Sequence, residues 1–120
     1  MDEEIRVNDL VVAPEVVETI VRLSAEKVEG VAAVGQPGEL NGLFSFFSQK
    51  KADPAVPAVT LKIVDSKLDI TVHLAVLFGY SFVTLAQSVR ELIAKSVESQ
   101  VGIEVTTVNV YIDSLLFPKE

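Results

Sequence analysis

The spacing of apolar and polar residues changes along this chain, and each change marks an element. Val59, Leu61 and Ile63 alternate with Thr60, Lys62 and Val64, the period of a half-buried strand. Asp65, Ser66 and Lys67 read as a turn. A longer strand follows, with Leu68, Ile70, Val72, Leu74, Val76 and Phe78 inward and Asp69, Thr71, His73, Ala75 and Leu77 outward, so the two predict an antiparallel hairpin. Residues 15–29 instead follow the helical period. Val16, Val17, Ile20, Val21, Leu23 and Val28 share one broad face, and Glu15, Glu18, Arg22, Glu26 and Glu29 the other. Pro14 suits the first helical position, and Gly30 is read as the residue that closes the helix. Residues 7–13 before it and 31–35 after it read as short strands. Beyond the hairpin, Gly79 ends the strand and Ser81 is placed to cap a second helix. Leu85, Ala86, Val89, Leu92, Ile93 and Val97 form its apolar stripe, and Gly102 stops it. A last strand over 104–113 turns Val108, Val110 and Ile112 inward and Thr107, Asn109, Tyr111 and Asp113 outward. A helix between two strands of one sheet implies a parallel crossover.

Between these periodic segments lies "QPGELNGLFSFFSQKKADPAVPA", residues 36–58, whose three prolines break the pattern and predict a long connection. Inside it Leu40, Leu43, Phe44 and Phe47 fall at i, i+3, i+4 and i+7, which predicts a short amphipathic helix or helical turn. Such a piece either folds onto the core or serves as an apolar handle for a second subunit or partner. The predicted class is α+β: a two-layer sandwich, with two amphipathic helices on one face of a mixed sheet of about four to five strands. The other face carries Thr60, Lys62, Asp69, Thr71, His73, Thr107, Asn109 and Tyr111, and meets water or a partner.

Composition narrows the picture. A chain of 120 residues builds one core, so a single domain over 1–120 is expected. The apolar fraction is 49% and mean hydropathy +0.41, yet no run reaches the ~18 residues of a membrane helix; direct membrane insertion is not expected. The start, "MDEEIRVND", is acidic and polar, so no signal peptide is read and a cytoplasmic location is expected. Net charge is −7 and pI about 4.6, which repels phosphate backbones; nucleic-acid binding is disfavoured.

Candidate chemistry is sparse. The chain has one histidine and no cysteine, so thiolate metal sites and thiol nucleophiles are excluded and no metal site is expected. His73 on an outward strand face reads most simply as a solvated histidine. Ser81 lacks the G-x-S-x-G elbow because Val83 stands where the second glycine belongs. Neither G-x-G-x-x-G nor G-x-x-x-x-G-K-[ST] occurs. No catalytic residues and no cofactor are expected, although the strand-turn-helix corner at Tyr80 leaves a small-ligand site as a third reading.

The order of segments adds what the residues alone do not. "LSAEKVEGVAAVG", "LDITVHLAVLFGYS" and "VRELIAKSVESQVGIEVTTVNVYI" together resemble the alkaline shock protein family of Gram-positive-type bacteria, the envelope stress response family. The resemblance covers most of residues 10–117 and leaves 36–58 outside as a variable connection. Glu29-Gly30-Val31, the glycine after the long strand, and the series Val97-Glu98, Gly102-Ile103, Val105, Val108-Asn109-Val110 carry it. One departure is that Phe82-Val83-Thr84 replaces the family's Ile-Pro-Glu helix start. The resemblance implies a non-enzymatic scaffold or adaptor in cell-envelope homeostasis that forms homo-oligomers and is held near the membrane by an anchored protein partner. The alternative it implies is a regulator that binds an enzyme of fatty-acid synthesis. The candidate interaction surface comprises Leu43, Phe44 and Phe47 in the connection, His73, Asn109 and Tyr111 on the outward sheet face, and Leu115, Leu116 and Phe117 near the C-terminus.

Overall fold

The computed structural model describes residues 5–7, 10–35, 44–47 and 57–118. In chain order the elements are β1 (Ile5–Val7), β2 (Leu10–Val12), α1 (Pro14–Glu26), β3 (Val31–Val34), β4 (Phe44–Phe47), β5 (Val59–Val64), β6 (Lys67–Leu77), α2 (Phe82–Val101) and β7 (Val105–Pro118). The predicted α+β class holds: the described residues form two helices, a small hairpin sheet and a larger mixed sheet.

β6 organises the larger sheet. One of its edges carries β5 and β3 in succession, both antiparallel, with Val59 opposite Val72 and Val34 opposite Leu74. Its other edge carries β7 in parallel, from Leu68 opposite Val105 to Leu77 opposite Leu116. β4 pairs antiparallel with the far side of β7, so it lies at the opposite edge from β3 and β5, although it falls between them in sequence. The parallel step from β6 to β7 is made through α2, as the periodicity predicts.

The alternation of β6 sets the core. Leu68, Ile70, Val72, Leu74 and Val76 are fully buried beneath Val17, Val21 and Ala25 of α1 and Leu85, Val89, Ile93 and Val97 of α2. Burying each such aliphatic side chain contributes about 1.5–3 kcal/mol. Both helix termini that the sequence marks most clearly are built as expected. The Thr84 N–H donates to Ser81 Oγ at 3.4 Å, and Gly102, at φ 88°, gives its N–H to the Glu98 carbonyl. The β5–β6 turn places Asp65 and Ser66 at φ 54° and 62°, the left-handed pair that matches the twist of a tight hairpin.

Several details differ from the expectation. The predicted strand over 7–13 is replaced by two short strands, β1 and β2, paired with each other from Ile5 opposite Val12, and Ile5 enters the core. α1 stops at Glu26 rather than Glu29. Its buried face is Val17, Val21, Ser24 and Ala25, while Val16 is 49% and Leu23 54% exposed, although the helical period places both on the apolar face. Phe78 lies past the end of β6 and is 59% exposed. β7 continues to Pro118 rather than ending at Asp113. Phe44 to Phe47 are extended, not helical: the end of β7 offers them a backbone edge, and a short, mostly apolar run satisfies either period until a pairing partner decides it. Leu40 and Leu43 lie outside the described residues.

Gly30 also has a role that helix closure does not describe. It sits beyond the end of α1 at φ 102°, and a Cβ there would stand 2.7 Å from Leu85 Cδ1 and 2.8 Å from Tyr80 Cγ. Its carbonyl accepts the Leu77 N–H at 2.8 Å. Gly79 has φ 107° but open space around the missing Cβ. Gly30→Ala is therefore expected to cost about 2–4 kcal/mol, backbone strain plus overpacking, and Gly79→Ala about 1–2 kcal/mol, strain alone. Urea denaturation of the two variants checks the order, and equal losses would contradict it.

Candidate functional site

The sheet face away from the helices is where the polar candidates meet. β6 contributes Asp69, Thr71 and His73, and β7 sets Thr107, Asn109 and Tyr111 directly beside them. The Asn109 amide donates from Nδ2 to Asp69 Oδ1 (3.0 Å), Thr71 Oγ1 (3.2 Å) and the Ile70 carbonyl (3.4 Å). A single amide nitrogen carries two hydrogens, so three acceptors share them and the side chain ties the two strands together. His73 stacks on Tyr111, ring centroids 4.8 Å apart and planes 17° from parallel.

Asp113 completes the group. The register between β6 and β7 shifts between Leu74 and Ala75, where Ile112 and Ser114 are their partners and Asp113 is the extra residue. A bulge bends the strand and re-aims a side chain, and here Asp113 Oδ2 comes 2.8 Å from His73 Nδ1. The carboxylate can only accept, so the ring donates through Nδ1. His73 is 20% exposed at its side chain and Asp113 45%. Alternation alone places Asp113 outward but does not reveal the bulge that brings it to His73.

The remaining candidates occupy the end of β7. Leu116 is buried and Leu115 is half-buried against the core. Phe117 stacks on Phe78 at 4.8 Å. β4 runs beside them, Phe47 opposite Leu115 and Phe44 opposite Pro118. His73, Asn109 and Tyr111 therefore form one cluster, and the end of β7 with β4 forms a second. Leu43 lies outside the described residues.

The strand-turn-helix corner is occupied by structural contacts. Ser81 caps α2. The Tyr80 hydroxyl donates to Glu29 Oε2 at 3.2 Å. The cavity beside them, about 220 Å³ between Val28, Tyr80, Thr84 and Leu85, is smaller than the roughly 300–1,000 Å³ of small-molecule pockets. The hydrogen bond to Glu29, its negative charge and a little burial all raise the Tyr80 pKa above 10.0. Glu98, which the helical period leaves on the exposed face of α2, also has two jobs. Its carbonyl closes α2, and its carboxylate accepts the Val105 N–H at 3.0 Å, starting β7. No group of three or more histidine, aspartate or glutamate side chains that could hold a metal occurs among the described residues. None of the described helices is long and apolar enough to cross a membrane.

With that geometry in place, residues 2–117 match the alkaline shock protein 23 family, described as having a cell envelope-related function, and the chain belongs to this family. The match agrees with the resemblance carried by Glu29-Gly30-Val31 and the Val97–Val110 series. Among curated proteins it is similar to YqhY, an uncharacterised protein of Bacillus subtilis (strain 168), with 26% identity over 115 residues, 96% of this chain and 82% of that protein. Among solved structures it is similar to MamM-CTD H264A, with a TM-score of 0.49 and 14% identity over 83% of this chain and 95% of that one. The copper form of the MamM CTD gives a TM-score of 0.48 at 14% identity, over 83% and 84%.

Two expectations follow from the contacts described. Asn109→Ala removes the donor that joins β6 to β7 and should lower stability by about 1–2 kcal/mol, measured by chemical denaturation. Because the folded-state pKa of Tyr80 is raised, its contact with Glu29 supports the fold below pH 10 and is lost as pH climbs through the raised value. Phenolate absorbance, followed through alkaline titration, should lose a component that titrates above pH 10 in Tyr80→Phe.

Proposed function

We propose that this protein is a non-enzymatic scaffold or adaptor in cell-envelope homeostasis, which acts by self-association and protein–protein contact and is held near the membrane by an anchored partner. The observation that carries this reading is the asymmetry of the sheet. One face is sealed by two helices, and the other presents an ordered polar and aromatic surface, with Tyr111 52% exposed and held flat against His73. Tyrosine supplies large contact area with few torsions to immobilise, so a tyrosine already fixed by stacking suits docking. The family's cell envelope-related function points the same way.

The test uses the purified chain and an affinity capture with quantitative mass spectrometry. Tyr111→Ala combined with His73→Ala strips the aromatic surface from an outward face and is expected to leave the melting temperature within a few degrees. It should reduce capture of a membrane-anchored protein by about tenfold or more, the scale of an interface hot spot. Undiminished capture by the double variant would remove the open face from the proposal. Turnover of a metabolite that depends on His73 would overturn the proposal as a whole.

A further inference from the structure

Among the described residues the sheet has two long open backbone edges, and they are built differently. β7, open on its far side before its pairing with β4, is bent by bulges against β6 at Thr106 and Asp113, and its first N–H is taken by Glu98. Bulges and caps are devices that keep an edge from adding strands. β5 has neither. Its register with β6 is unbroken from Val59 to Val64, it contains no proline, and Lys62, its one charged residue, is the single edge-blunting feature it carries.

The direction of its free hydrogen-bonding groups follows from a single contact. The His73 N–H donates to the Ala58 carbonyl at 2.9 Å, while the His73 carbonyl accepts the Gly35 N–H at 2.8 Å, so Ala58 occupies a hydrogen-bonding position opposite His73. In an antiparallel ladder such positions alternate. Thr60, Lys62 and Val64 therefore face β6, and Val59, Leu61 and Ile63 turn both N–H and C=O outward. Along this edge runs a groove of about 610 Å³, with β5 as one wall and Ile5, Pro14 and Glu18 on the other.

From this we infer that β5 is the site at which a second copy of the chain docks, strand to strand and antiparallel, forming a closed two-fold dimer with one sheet running through both copies. The occupant is set by self-complementarity. Pairing that keeps apolar residues on the helix side must place odd positions opposite odd positions. One register uses every outward group: Leu61 opposite Leu61 of the second copy, and Val59 opposite its Ile63. That register sets Lys62 opposite Thr60 of the second copy rather than opposite another lysine. It also brings Val64, 53% exposed in one copy, beside Ala58 of the second. The neighbouring register with Lys62 against Lys62 opposes like charges and leaves Val59 unpaired. The two-fold puts all four helices on one side and makes the two His73–Tyr111 surfaces a single broad face. The inference rests on the proposed self-association and names its interface.

Charge substitutions at Thr60 test this, because that side chain is exposed on the open face and faces no core residue. Sedimentation velocity across concentration should show a monomer–dimer equilibrium. Thr60→Lys should weaken it and Thr60→Glu strengthen it, each by roughly 2- to 30-fold for two symmetric cross-strand pairs. The chain has no cysteine, so introduced thiols report without background. Mixing Thr60→Cys with Lys62→Cys protein under mild oxidation should yield the mixed disulfide in preference to either homodimer, since a directly opposed non-hydrogen-bonded pair stands about 4.5 Å apart. A strict monomer overturns both this interface and self-association. Association indifferent to Thr60, with no mixed disulfide, overturns this interface and leaves self-association standing. A disulfide from Lys62→Cys to Asn109→Cys overturns the closed dimer in favour of a head-to-tail β5–β7 contact.

Discussion

Every other feature depends on β6 burying one complete face while holding a neighbour along each edge. Five aliphatic side chains at every second position meet two helices, and the backbone between them is paired on both sides. A one-residue slip would send that face to the other side of the sheet, so the register of β6 is the most strongly specified feature of the molecule. The parallel β7 follows from it, because a parallel neighbour needs a long crossover and α2 supplies one whose stripe seals the same face.

The residues that carry the family resemblance prove to be joints of this arrangement. Gly30 lies under the Tyr80 ring and receives the last N–H of β6, where no side chain fits. Glu98 closes α2 through its carbonyl and opens β7 through its carboxylate. Asn109 ties the two central strands across the open face. The Phe82-Val83-Thr84 departure removes a proline and an acid from the start of α2, but the Ser81 cap survives, and Phe82 and Val83 stand exposed. The strand-turn-helix corner thus works as a joint between sheet and helix.

The same joints leave one face of the sheet uncommitted. Its polar groups are paired with one another: Asn109 with Asp69 and Thr71, His73 with Asp113, and Tyr111 flat against His73. Pairing satisfies these groups within the sheet and fixes their positions, which suits the docking proposed above. That docking role draws on this surface and on the family's cell envelope-related function.

Alternation and helical period were sufficient to define β5, β6, the buried stripe of α2, its Ser81 and Gly102 ends and the two-layer class, because each is a local pattern repeated over many residues. The outward placement of His73, Asn109 and Tyr111 was legible for the same reason. Short apolar runs were not: 7–13 became part of a hairpin and Phe44–Phe47 a strand, since runs of a few residues take whichever structure a distant partner stabilises. Only the tertiary structure could join Asp113 to His73, which required a bulge against β6, or Gly30 to Tyr80, which required two turns to meet. The pattern of the chain decides which side of an element faces inward. Which residues from separate elements touch depends on pairing and twist, which no local window contains.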